Sequence, residues 1–260
     1  MQNTWNTTLL GLFRGTADVF GCELYPWLSS NQTLDLHAES ANLDALGQAF
    51  GADDSTALIT IGQAFNSGAD CPIDSTPKPK HCKTPQTFPG YEVMRSMNLL
   101  QPVKGSGGVL QYSYYGMLGY AGHYQYPQAT IRRNLAALSN ITRELQHLAG
   151  VFLQPRVALQ CGGPAVHTRL FRESNVQAAL FASLANDAGT TAASASTLVV
   201  INGAHVSSTV RFASGGAGAA ALLTLEMAPW GVAIVEIKDA SHPRCHAAGS
   251  QRKAQRHIIK

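Results

Sequence analysis

Three apolar, β-branched runs, each followed by a segment of helical periodicity, constrain the first 150 residues most tightly. The runs lie at 18–24 (DVFGCEL), 56–61 (TALITI) and 108–112 (GVLQY). After the first, SANLDALGQAFG places Leu43, Leu46, Ala49 and Phe50 at helical spacing and stops at Gly51. After the second, PGYEVMRSMNLLQPV puts Val93, Met94, Met97 and Leu100 on one helical face. After the third, a long helix is expected, with Ile131, Leu135, Leu138, Ile141, Leu145 and Leu148 falling three or four apart. Strands alternating with helices imply a parallel sheet joined by crossovers, and near-continuous apolar strands suit burial on both faces.

From about Pro155 the pattern shifts to short β-like runs (RLFRES, VQAALFAS, STLVVINGA, STVRFAS, ALLTLEMAPWGVAIVEI) separated by Ala/Gly/Ser loops. This spacing predicts a small antiparallel β-sandwich. The expected organisation is an α/β part at 1–154, an all-β sandwich at 155–238 and a basic, disordered tail at 239–260.

With 45% apolar and only 13% charged residues, against about 25% charged in an average chain, this is a core-forming chain. A formal charge of +3 gives no basis for a nucleic-acid partner. No apolar run approaches the ~18–20 residues that cross a bilayer, and MQNTWNTTLLGLFRG lacks the basic and apolar regions of a signal peptide. Three N-x-[ST] sequons, at Asn6, Asn31 and Asn140, nevertheless point to the secretory route or the cell exterior. The cysteines agree with that compartment. Cys71 and Cys82 bracket CPIDSTPKPKHC at a separation a loop disulfide closes, Cys22 reads as a buried apolar residue, and a Cys161–Cys245 pair is left open. Zinc at Cys71, His81 and Cys82 would need a fourth ligand and the paired C-x-x-C spacing, so no metal or other cofactor is expected.

Three β/α units make a poor domain, because a three-stranded parallel sheet buries little surface and leaves two edges. The glycines of GSGG precede their strand, which excludes the dinucleotide fingerprint. The units fit better as the last three of a (β/α)8 barrel, where functional groups sit at the C-terminal ends of strands. Three strand exits then line up: Glu23, Tyr25 and Trp27; Gln63, Phe65 and Asn66; Gln111, Tyr112, Ser113, Tyr114 and Tyr115. Aromatic faces stack on the C–H face of a pyranose, while amides and carboxylates bond its hydroxyls. Carbohydrate is therefore the expected partner. Glu23 is the candidate catalytic carboxylate, and Tyr25, Trp27, Gln63, Tyr112 and Tyr114 are the candidate sugar-binding residues.

These stretches resemble the C-terminal half of a glycoside hydrolase-type TIM barrel with its trailing β-sandwich. ADVFGCELYPW is similar to a sixth barrel strand, TALITIGQAF to a seventh, and PGYEVMRSMNLLQPVKGSGGVLQYSYYG to an eighth unit. TLVVINGAHVSSTVRF and LEMAPWGVAIVEI resemble the all-β domain that closes amylase- and galactosidase-like chains. The resemblance implies O-glycoside hydrolase chemistry, which uses a pair of carboxylates, one after strand four and one after strand seven. The strand-seven exit here holds Gln63, and a neutral amide is no nucleophile. The expectation is a glycoside hydrolase-like fragment that is inactive alone, with a non-catalytic carbohydrate-binding or cell-surface module as the alternative.

Plainer roles stand beside each pick. Glu23 fits a solvated loop or a pair with Arg14 or Arg95, and Gln63 fits backbone bonding inside a barrel. Glu92 and Arg95 fit an i, i+3 ion pair. His123 is a loop candidate, and His147 reads as a helix-surface residue.

Overall fold

The computed structural model describes residues 6–25, 27–28, 33–34, 36–50, 57–63, 88–112, 117–118, 128–154, 156–159, 161, 165–172, 195–204, 206–214, 221–238 and 244–245. The chain divides into two compact units, Met1–His147 and Leu148–Lys260. In the first, helix α1 (Thr7–Gly11) leads to β1 (Val19–Leu24), then to a two-residue hairpin of β2 (Trp27–Leu28) and β3 (Thr33–Leu34). Helix α2 (Leu36–Phe50), β4 (Ala57–Gln63), α3 (Tyr91–Lys104) and β5 (Gly108–Tyr112) follow, and α4 (Gln128–Phe152) begins in this unit.

The sheet is three-stranded and parallel in the order β1-β4-β5, with Glu23 opposite Ile61 and Gln63 opposite Tyr112. The expected alternation is thus a mixed α/β unit with a parallel sheet, and among the described residues that sheet does not close into a barrel. Alternation sends Phe20, Cys22, Leu24, Leu58, Thr60, Gly62, Val109 and Gln111 to one face. Helices α2 and α3 cover that face. Phe50 stacks on Phe20 at 4.4 Å between centroids, and the core between them includes Leu43, Leu46, Met94, Met97 and Leu100. The opposite face carries Val19, Leu110 and Tyr112 at 50%, 56% and 46% exposure.

Local chemistry fixes the helix ends. Arg14, in the loop before β1, donates from Nε to Ala49 O at 2.8 Å, which ties down the carbonyl end of α2 and sets a cation against its dipole. Helix α3 ends at Gly105, whose φ of 113° suits glycine. Gly105 N–H bonds to Pro102 O and Ser106 N–H to Gln101 O, both at 3.0 Å, the paired bonds of a Schellman turn. Gly107 N–H then meets Leu58 O at 2.8 Å, so KGSGGV stops the helix and starts the next strand within three residues. Arg95 bonds to Glu144 through Nε (2.7 Å) and a terminal nitrogen (2.6 Å), joining α3 to α4. Glu144, on the neighbouring helix, offers both carboxylate oxygens to the planar guanidinium and is its main partner, while the expected neighbour Glu92 adds a weaker charge interaction.

The second unit holds two antiparallel sheets. One has the order β11-β8-β7-β6, from β6 (Arg156–Leu159), β7 (Val166–Arg172), β8 (Ala195–Asn202) and β11 (Val232–Lys238). The other has the order β10-β9-β12, from β9 (Ser208–Ser214), β10 (Ala221–Met227) and β12 (Arg244–Cys245). Leu170, Leu198 and Val200 from the first sheet pack with Val210, Phe212 and Met227 from the second. The other face of β7 meets the end of α4, where Phe152 contacts Phe171 edge-on at 5.4 Å. Cys161 and Cys245 form a disulfide with Cα atoms 4.8 Å apart, resolving the pairing left open by the sequence. Because the disulfide and the β9 ladder hold Arg244 and Cys245, the ordered antiparallel unit runs past residue 238, where the sequence places its end. The VQAALFAS run lies outside the described residues.

Candidate functional site

Parallel strands end on one edge, and that edge collects the aromatic and polar residues. Tyr25 follows the last residue of β1, Gln63 ends β4 and Tyr112 ends β5. Register puts Glu23, Ile61 and Leu110 in one row, with Gln63 and Tyr112 one step further towards the edge on the same face. The Tyr25 and Tyr112 rings stack at 6.1 Å between centroids and 29° between planes. These two strands flank β4, so the rings lean towards each other across the central strand that carries Gln63. Gln63 is fully buried, whereas Glu23 and Tyr112 are exposed and Tyr25 is half-buried. Burial raises the Tyr25 phenol above its ordinary range, with the neighbouring Glu23 carboxylate and Tyr112 adding to the effect. Tyr25 therefore stays a neutral hydroxyl, able to donate and accept, across the physiological range.

Four predicted residues thus come together: Glu23, Tyr25, Gln63 and Tyr112. Of the rest, Trp27 has a described backbone, paired with Leu34, but its side chain lies outside the described residues. Tyr114 lies outside them too, as do Phe65, Asn66, Ser113, Tyr115, His123, Asn31, Cys71, His81 and Cys82. Gln111, at the third strand exit but not among the candidate sugar-binding residues, does not join them. It faces the helices, and its amide nitrogen donates to Asn98 Oδ1 on α3. Alternation along β5 that sends Tyr112 to the open face necessarily sends Gln111 to the other. The cations proposed as plain partners for Glu23 are engaged elsewhere, Arg14 on the carbonyls of α2 and Arg95 on Glu144.

Beneath the edge runs a buried polar network that sequence reasoning missed. Thr60 Oγ1 donates to Gln101 Oε1 at 2.7 Å and lies 2.9 Å from Ser106 Oγ, which bonds to Gly108 O at 2.6 Å. Gln101 Nε2 donates to Glu39 Oε1 at 3.3 Å. Asn98 Nδ2 bonds to Met94 O at 2.8 Å while its Oδ1 receives Gln111. A Cβ on Gly62 would stand 3.1 Å from both Asn98 Oδ1 and Gln101 Nε2, so a larger residue there would press on both amides. The available signal was Asn98 and Gln101 lying on α3 beside Met94 and Met97, polar residues at positions the core claims.

Glu39 is wholly buried and Oε2 has no hydrogen-bond partner among the described residues. Burial pushes its carboxyl up to about 8, with the Gln101 bond opposing, so it is mostly protonated at neutral pH. Cys22, on the same sheet face, is pushed up to about 12 by burial and then by Glu39. Its thiol is chemically quiet, in keeping with the reading of it as a packed apolar residue. Among the described residues no group of three His, Cys, Asp or Glu side chains is placed to hold a metal ion, and no helix is long and apolar enough to cross a membrane.

No family model matches the chain. No curated protein matches it either. Among solved structures, it is similar to a GH27 β-L-arabinopyranosidase from Geobacillus stearothermophilus, with a TM-score of 0.30 and 9% identity over 90% of this chain and 61% of that one. The chain therefore spans less than two thirds of that enzyme's length. A likeness of this size carries no weight of its own.

Proposed function

We propose that this chain is a glycoside hydrolase-like protein that binds carbohydrate at the C-terminal edge of its parallel sheet, and that it does so without cleaving it. The observation that carries this reading is the stacked Tyr25–Tyr112 pair beside Glu23, on a sheet face that α2 and α3 leave open. An exposed tyrosine ring offers a flat apolar platform for a pyranose, and the Glu23 carboxylate and phenol oxygens accept from its hydroxyls. A parallel sheet with helices packed on one face and function at its strand ends is consistent with a segment of a (β/α)8 barrel.

Binding is favoured over hydrolysis by the charge pattern of that face. Among its described residues Glu23 is the one carboxylate, and the central strand ends in buried, neutral Gln63. Acid/base cleavage of a glycosidic bond needs two carboxyl groups on opposite sides of it. The test is a glycan array probed with the purified chain, repeated with Tyr112→Ala and Glu23→Gln. Binding to a defined set of glycans is expected, lost in Tyr112→Ala, weakened in Glu23→Gln, with no release of free sugar. Hydrolysis that disappears in Glu23→Gln would replace binding with catalysis, and binding unchanged in both variants would remove the site.

A further inference from the structure

We infer that Asn6 and Asn140 are N-glycan attachment sites and that the chain matures in an oxidising, secretory compartment. Two independent observations converge, neither of them part of the sugar-binding edge. The first is how the fold presents the sequons. Asn6, Thr7 and Thr8 are all exposed, and Asn6 caps α1 by accepting from Thr8 N–H at 2.9 Å and Leu9 N–H at 3.2 Å. Both bonds occupy Oδ1, not the amide nitrogen that carries a glycan. On α4, Asn140 and Thr142 are exposed while Ile141 between them is completely buried. The helix thus anchors the sequon by its middle residue and turns both recognition residues outwards. A bulky, hydrated oligosaccharide at either position displaces no packed side chain.

The second observation is the disulfide. Cys161, in the connection between β6 and β7, and Cys245, on β12 of the other sheet, are 84 residues apart in the chain. Such a bond persists where thiols are oxidised, and it is uncommon in the reducing cytosol. That compartment is also where sequons are modified. The donor is an oligosaccharide joined through pyrophosphate to a lipid. The sugar C1–Nδ2 bond forms, the C1–O bond to pyrophosphate breaks, the amide gives up one proton to a base, and lipid pyrophosphate leaves, with no change of oxidation state.

The test uses the protein isolated from its own source, treated with a peptide N-glycosidase in ¹⁸O-water, then digested without reduction and weighed by peptide. Asn6 and Asn140 are expected as ¹⁸O-labelled aspartates, together with a Cys161–Cys245 peptide pair that separates on reduction. Unmodified asparagine at both positions, or free thiols at both cysteines, would overturn the inference, and one unmodified position withdraws that site. The chain is also sent into a eukaryotic secretory pathway behind an added leader, as wild type, Thr8→Ala and Thr142→Ala. Each variant should lose one glycan's mass. Equal mass in all three would place the sugar elsewhere and contradict the assignment.

Discussion

Glu39 shows how one side chain sets a property of the whole unit. Unfolded, its carboxyl titrates in the ordinary range near 4.5; folded, it holds its proton to about 8. Between those values the native state keeps a proton that the unfolded chain has released, so stability falls as pH rises across that window. The contribution is fully present below about 4.5 and lost above about 8. Glu39→Gln preserves the shape and an acceptor for Gln101 while removing the titration. Urea midpoints at pH 5 and pH 9 should show wild type losing a few kcal/mol more than the variant, on the order of 1.4 kcal/mol per pH unit within the window. Identical pH dependence in the two proteins would mean that Glu39 is charged in the native state. Cys22 offers a second check. Its buried, high-pKa thiol should resist alkylation at pH 8 in the native protein and react once urea unfolds it.

At the scale of elements, helix faces were the most legible part of the chain. Leu43, Leu46, Met94, Met97 and Leu100 are all buried where helical periodicity puts them. The limit of that signal shows on the strands. A two-residue period says that Gln111 and Tyr112 point to opposite faces, but not which face the helices cover. Asn98 and Gln101 were illegible for a related reason: a polar residue on an apolar stripe is interpretable only when its partner is known, and theirs are Gln111, Thr60 and Glu39. Gly62→Ala tests this packing, since the added methyl pushes into two amides and should cost about 1–3 kcal/mol, read as a lower denaturation midpoint. A variant as stable as wild type would show that the amides have room to retreat. In the second unit, Asn202 joins three segments: Nδ2 bonds to Val206 O (2.9 Å) and Ala228 O (2.8 Å), and Oδ1 receives Ala204 N–H and Ser208 Oγ (both 3.1 Å). It is fully buried, so Asn202→Ala strands two carbonyls and should cost about 2–4 kcal/mol.

Across the whole molecule, the switch from strand–helix alternation to short strands suggests two architectures meeting near residue 155, and the compact units of the structure are Met1–His147 and Leu148–Lys260. Where the second unit ends was not legible, because a disulfide between residues 84 apart leaves no local pattern in the sequence. On a chain-entropy estimate that bond destabilises the unfolded state by about 4.6 kcal/mol. Cys161→Ser together with Cys245→Ser should lower the melting temperature of the antiparallel unit and leave Tyr25–Tyr112 stacking in the first unit unchanged, as read by near-ultraviolet circular dichroism. The site itself was half legible. Strand-end position brought Glu23, Tyr25, Gln63 and Tyr112 together, but not that Gln63 would be buried and Tyr112 left outermost. The most direct measurement of the central claim is intermolecular NOE spectroscopy on the chain with a sugar selected from the glycan array. The account predicts contacts between sugar ring protons and the aromatic protons of Tyr25 and Tyr112, abolished by Tyr112→Ala. Contacts confined to residues of the antiparallel unit, with none to either tyrosine, would contradict it.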